Sequence, residues 1–189
     1  MPAMRTSDVT QKKYTYADYM LIEDEKRYEI YEGELIMVPA PATRHQRVSW
    51  KIEYIMGRFI EENILGTILD APTDVVLADY VVLQPDILFI SKDREDIIKP
   101  RAVMGAPDLV VEIASPSTSF HDTVKKRDIY QRYGVMEFWL VFPEEKAIEV
   151  MVLQDGVYSE FASAREEGKV TSKVLSGLEV DVKDVFIGT

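Results

Sequence analysis

Two short apolar runs each carry a carboxylate that the run does not need, and that pattern constrains the chain more than any other. One run reads Asp86-Ile87-Leu88-Phe89-Ile90, and the other reads Asp108-Leu109-Val110-Val111-Glu112-Ile113-Ala114. Both have the length and bounding prolines of buried strands. An unpaired carboxylate inside such a strand costs on the order of several kcal/mol unless it is protonated, paired or metal-bound. Glu112 is the sharpest case, because it lies in the interior of its run.

Strand geometry decides which acids can work together. Side chains alternate, so Asp108, Val110, Glu112 and Ala114 share one face. Asp108 and Glu112 then stand about 13 Å apart along the strand, at about 3.3 Å per residue. That is too far for one ion bound at about 2.1 Å per ligand. Asp86 and Glu112 can meet if their strands are neighbours about 4.8 Å apart. Asp108, after Pro107, reads as a strand-entry residue. The bland alternative for Glu112 is a strand-end glutamate that reaches water or an arginine.

A helix after Asp122 supplies a cation. Ile129, Tyr130 and Tyr133 define its apolar face, and counting back three and four residues places Lys126 on that face. Lys125, Arg127, Asp128, Gln131 and Arg132 mostly face elsewhere. Lys126 can snorkel to solvent, or it can point at an anionic centre beside Glu112. Ser115-Pro116-Ser117 makes the exit from strand to helix, with Asp122 as the expected N-cap. Two acids and an amine gathered by a sheet point to metal-dependent phosphodiester cleavage.

At these residues the chain resembles the PD-(D/E)XK restriction-endonuclease-like superfamily, through Pro85-Asp86, Glu112 and a lysine. The superfamily's usual lysine position, two residues after the glutamate, is here Ala114. That departure matches the Uma-two family, which the chain resembles in Y-E-I-Y-E-G-E-L at 28–35, His45, Q-P-D at 84–86, P-D-L-V-V-E-I-A-S-P-S at 107–117, D-x-x-x-K at 122–126 and Y-G-V-x-E-F-W-L-V at 133–141. The resemblance implies an α/β (α+β) fold, with a mixed central sheet flanked by helices and added β-hairpins. It implies a nuclease that takes nucleic acid, with DNA foremost, as substrate. It further implies Mg²⁺ or Mn²⁺ held by Asp86, Glu112 and the Ile113 carbonyl, and catalysis by Asp86, Glu112 and Lys126. Glu34, His45 and Asp122 are candidates for an outer shell.

Composition sets wider bounds. A chain of 189 residues, 47% hydrophobic and 29% charged, suits one soluble domain with a real core. We expect a flexible lead-in over 1–13 and a single domain over 14–189. No run approaches the ~20 apolar residues of a membrane helix. The start lacks a secretion signal, and cysteine is absent, so a cytoplasmic setting is expected. A net charge of −11 argues against coating nucleic acid by bulk electrostatics. The densest basic strip is Lys125, Lys126, Arg127 and Arg132. Exposed β edges allow a homodimer.

The remaining expectations follow the chain. Thr15 caps a short helix, and residues 28–38 form a hairpin turning at Glu32-Gly33. Glu29 and Glu34 read as exposed strand positions. A helix spans about Thr43 to Asn63 with Val48, Ile52, Ile55, Met56, Phe59 and Ile60 on its core face, ending at Gly66. His45 at its start either packs or contacts a phosphate or metal site. Short strands lead into Asp86. Residues 92–101 form the expected exposed, mobile loop, with one helical turn as an alternative within it. Gly134 ends the lysine helix; an apolar strand over Glu137–Val141 and further hairpins follow, with Trp139 in the core. The rival functional reading is a non-catalytic interaction module with this fold and a vestigial acidic pocket.

Overall fold

The computed structural model describes residues 12–115 and 120–188, with backbone alone at 120–122. The N-terminal part holds α1 (Tyr16–Tyr19), the hairpin β1 (Arg27–Tyr31) and β2 (Glu34–Val38), and the long helix α2 (Thr43–Asn63). Next come β3 (Gly66–Asp70), β4 (Val75–Ala78), β5 (Val81–Leu83), β6 (Ile87–Ser91), a 3₁₀ turn (Lys92–Ile97), β7 (Val103–Met104) and β8 (Leu109–Ile113). The rest is α3 (Phe120–Tyr133), β9 (Glu137–Phe142), β10 (Ala147–Gln154), β11 (Val157–Arg165), β12 (Lys169–Thr171), β13 (Glu179–Asp181) and α4 (Val182–Phe186).

Local chemistry accounts for most boundaries. Thr15 and Asp18 form a reciprocal capping box that starts α1,. Glu32 and Gly33 take positive φ of 52° and 90°, the geometry of a two-residue hairpin turn. In α2, Val48, Ile52, Met56 and Ile60 recur at helical spacing and are fully buried. That helix ends at Ile64, which takes the left-handed conformation, so Gly66 is not its terminator. Gly66 opens β3 instead, at φ 150°, where a Cβ would lie 2.1 Å from the Ile90 carbonyl oxygen. Its role is close approach of two strands.

Strands form a six-stranded sheet, in the order β11-β10-β9-β8-β6-β3, and a five-stranded sheet, in the order β2-β1-β5-β4-β7. Each is mixed: β8 runs parallel to β9, β4 runs parallel to β7, and the other pairings are antiparallel. Alternation divides β6 and β8 between two cores. Ile87, Phe89, Leu109, Val111 and Ile113 pack with α2, α4 and the β12–β13 pair. Leu88, Ile90 and Val110 pack with the smaller sheet and α3. By the same alternation Asp86 and Glu112 belong to this second side. A third core joins Ile30, Val76 and Val82 of the smaller sheet to Tyr16 and Tyr19 of α1.

Several expectations are revised. The α3 helix begins at Phe120, two residues before Asp122, so Asp122 lies in the first turn rather than at the N-cap; its side chain is outside the described residues. The lead-in over 1–13 also lies outside them, apart from Lys12 and Lys13. Lys12 pairs with Asp18 at 3.1 Å. The charged segment after β6 is pinned rather than loose: Arg94 pairs with Asp108 and donates to the Ala106 carbonyl at 2.8 Å. Asp108 also accepts from the Ser91 amide at 2.8 Å, which confirms a structural task at strand entry. Trp139 is in the core. So is Glu137, which opens the otherwise apolar β9 and is fully buried. Its carboxylate accepts from Trp139 Nε1, Ser172 Oγ and the amides of Lys173 and Val174 at 2.6–2.8 Å. Those amides turn toward Glu137, and β12 stops at Thr171.

Candidate functional site

The β6–β8 register brings the two acids together. Ile87 lies opposite Val111, so one step outward Asp86 lies opposite Glu112. Asp86 Oδ2 accepts from the Ile113 amide at 2.7 Å and stands 3.1 Å from His45 Nε2. A carboxylate can only accept, so Nε2 carries the proton of that bond. The first turn of α2 places His45 there. That helix start has no side-chain cap, and its exposed end adjoins the pocket. His45 Nδ1 is buried without a hydrogen-bond partner among the described residues.

Glu112 is met from α3. Lys126 Nζ lies 3.0 Å from each Glu112 oxygen, and Tyr130 donates its hydroxyl to Oε1 at 2.6 Å. One helical turn separates Lys126 from Tyr130, so both reach the same strand. Lys126 Nζ is also 2.9 Å from Glu29 Oε1. Tyr31 donates to Glu29 Oε2 at 2.8 Å, and the Gln84 amide donates to Oε1 at 2.7 Å. One lysine thus sits between two buried carboxylates, each also bonded by a tyrosine. The Gln84 side chain is itself held, donating to Asp74 at 2.7 Å and accepting from Arg27 at 3.0 Å. In Gln84-Pro85-Asp86, the first residue fixes Glu29 from its backbone and the third presents its own acid.

Burial pushes the Glu112 carboxyl up to about 7; Lys126 and the Tyr130 hydrogen bond oppose this, while Asp86 and Glu29 reinforce it,. Burial pulls Lys126 down, but the facing carboxylates of Glu112 and Glu29 outweigh it and raise its pKa. The same contest raises His45: burial opposes the charge, and the hydrogen bond and charge of Asp86 prevail, helped by Glu112 and the Ile113 backbone.

Asp86, Glu112, Ile113, His45 and Lys126 all line one open pocket of about 260 Å³, together with Glu29. Glu34 does not join them. It shares the inner hairpin face with Glu29 and Tyr31 but lies opposite Tyr31 at the turn end, exposed and 3.4 Å from Lys125. Glu29, Tyr31, Tyr130 and Gln84 are the members that sequence reasoning missed. A two-residue turn at Glu32-Gly33 sets Glu29 opposite Ile36, which gives its hairpin face but not what that face packs against.

The donor set fits a hard divalent ion. Three carboxylates face one lysine and one histidine, leaving negative charge in excess. Among the described residues no three His, Asp or Glu side chains are gathered closely enough to enclose an ion. An ion held there would take one or two of these carboxylates and keep several waters, as Mg²⁺ does.

This mixed sheet flanked by helices, with an Asp, a Glu and a Lys where two of its strands meet a helix, is the restriction-endonuclease-like fold. The chain belongs to the Uma2 family, described as "Putative restriction endonuclease", whose profile matches residues 14–183. A crystal structure of a "putative nuclease belonging to DUF820" from Anabaena variabilis ATCC 29413 has the same fold, with a TM-score of 0.76 over 92% of this chain and 97% of that one, at 22% identity. No curated protein matches the chain. Among the described residues no helix is long and apolar enough to cross a membrane.

Proposed function

We propose that the protein is a metal-dependent nuclease that hydrolyses phosphodiester bonds, with DNA as its substrate. The observation that carries this reading is the Lys126 ammonium held between Glu29 at 2.9 Å and Glu112 at 3.0 Å on the wall of a pocket that also presents Asp86. A structural ion pair needs one acid and no cavity.

Asp86 and Glu112, with the Ile113 carbonyl, would hold Mg²⁺ or Mn²⁺, which when bound supplies Lewis acidity and lowers the pKa of water. The chain's own groups do the rest. Lys126 keeps its proton, because two acids raise its pKa, so it acts as a fixed positive charge for a phosphate that gains negative charge in the transition state. It is a poor general base for the same reason. Glu29 positions Lys126, and Tyr31 and the Gln84 amide hold Glu29. His45 and the Ile113 amide orient Asp86. The family description and the nuclease-like fold support the reading.

The test is nicking of plasmid and cleavage of single-stranded DNA and RNA with Mn²⁺. Asp86→Asn keeps the shape and the acceptor for Ile113 and His45, and should lose about 10²-fold or more in rate. Lys125→Met, at an exposed pair with Glu34, should stay near wild type. Cleavage of RNA alone would overturn DNA as the substrate, and a silent wild type on every substrate would leave the interaction-module reading standing.

A further inference from the structure

The exposed side of α2 carries a feature that the pocket does not use. Trp50 and Tyr54, one turn apart, are 57% and 56% exposed. Their rings stack with centroids 5.9 Å apart and planes 23° apart. Lys51 Nζ lies 5.3 Å from the centre of the Trp50 ring. Two large aromatic side chains left in water on one helix face, stacked on each other and flanked by a cation, are unusual on a protein surface.

The face is continuous with the pocket. Gln46 and Ser49 line the pocket wall, and Trp50 and Tyr54 follow Gln46 at steps of four along the helix. The charge here also departs from the rest of the molecule. From its start to Tyr54, α2 carries Arg44, Arg47 and Lys51 against one acid, Glu53, in a chain of net charge −11. Arg44 is engaged with Glu144 at 2.7 Å. Arg47 and Lys51 make no ion pair among the described residues.

We infer that this face of α2 is a stacking platform for unpaired bases, along which a single strand of nucleic acid leaves the pocket. The inference rests on the nuclease reading and names its substrate class as a strand with unstacked bases. Aromatic rings bind bases through their π-faces, which a duplex hides and a single strand offers. Arg47 and Lys51 meet the phosphates beside the rings, while the acidic remainder of the surface repels a duplex that would need a broad basic footprint.

Fluorescence tests this directly. The chain has two tryptophans, and Trp139 is fully buried, so quenching by a bound strand reports on Trp50. With chelator present to stop cleavage, oligothymidylate should quench the emission, and a duplex at equal phosphate concentration should quench far less. By fluorescence anisotropy of a labelled strand, Trp50→Ala and Tyr54→Ala should each weaken binding about tenfold, at unchanged unfolding temperature. Asp86→Asn, with one negative charge fewer in the pocket, should bind the strand at least as tightly as wild type while failing to cleave it. Binding of oligothymidylate without any cleavage by wild type keeps the platform and removes the nuclease. Cleavage with wild-type strand affinity in the Trp50→Ala, Tyr54→Ala double variant does the reverse. Equal quenching by duplex, or a shift from dimer to monomer in sedimentation of the double variant, overturns the platform, the latter because a second copy of the chain covers the rings.

Discussion

Lys126 illustrates how a single residue is held by its neighbours. Its side chain is 12% exposed and serves Glu29 and Glu112 together. Lys126→Met keeps the hydrophobic stem but leaves two buried carboxylates facing each other. Breaking a buried pair in this way costs about 3–5 kcal/mol, so this variant should melt well below wild type in chelator. Lys125→Met should melt within about 0.5 kcal/mol of wild type; equal destabilisation of the two would contradict the placement of Lys126. Glu29→Gln is the milder probe. It keeps an acceptor for Lys126 but removes the charge that helps hold it, so cleavage should fall about tenfold with little change in KM. Glu112 gives a pH signature. Its folded pKa of about 7 lies above the ordinary 4.5, so the folded state binds its proton more tightly than the unfolded state. The stability from this group is complete below about pH 4.5 and is lost as pH rises toward 7. Glu112→Gln should flatten that fall in metal-free thermal melts, and an unchanged pH profile would show that another group causes it.

At the scale of elements, strand contact and register decide where side chains arrive. Gly66 has no room for a side chain, because β6 passes so close that a Cβ would meet the Ile90 oxygen at 2.1 Å. Gly66→Ala should therefore cost about 2 kcal/mol or more in denaturant melts, through strand displacement as well as strain at positive φ. Gly134→Ala is the comparison: φ is also positive, but nothing lies within 4 Å, so its cost should be about 1 kcal/mol. The β1–β2 hairpin shows how register sorts acids. Both hairpin faces carry apolar residues, Ile30 and Leu35 on one and Tyr31 and Ile36 on the other. Alternation alone therefore does not say which face carries the site. The six-stranded sheet does, because Glu112 and Asp86 share the face of Leu88 and Val110, toward α3 and the smaller sheet.

On the scale of the whole molecule, the site exists only when both sheets, α2 and α3 are assembled. Asp86 follows the step from the small sheet to the large one, Glu29 comes from the small sheet, and Lys126 and His45 come from two helices. Any ion held there binds the folded state alone, so saturating Mg²⁺ or Mn²⁺ should raise the unfolding temperature, by about 2.7 kcal/mol of stability at one hundred times Kd. Asp86→Asn should remove that rise, and an identical metal response in the variant would place the ion elsewhere.

Much of this was legible from residue order. Helical spacing placed Lys126 inward and Lys125 outward, and the 43–63 helix and its apolar stripe follow from period alone, because these are local properties of one element. Asp86 and Glu112 stood out because a carboxylate in an apolar strand needs a partner wherever the strand goes. The partners themselves are tertiary. Glu29 looked like an exposed hairpin residue, and Glu34 like the better candidate, until the packing of the hairpin against α3 buried one and left the other at the turn. Tyr130 stood on the apolar face of its helix, Tyr31 within the hairpin and Glu137 at the start of an apolar strand, with no partner indicated for any of them. Their hydrogen bonds span from 2 to 37 residues of sequence, and most cross between elements. Local periodicity tells which face of an element is apolar, but only the assembled sheets determine which buried polar atoms come within 3 Å of one another.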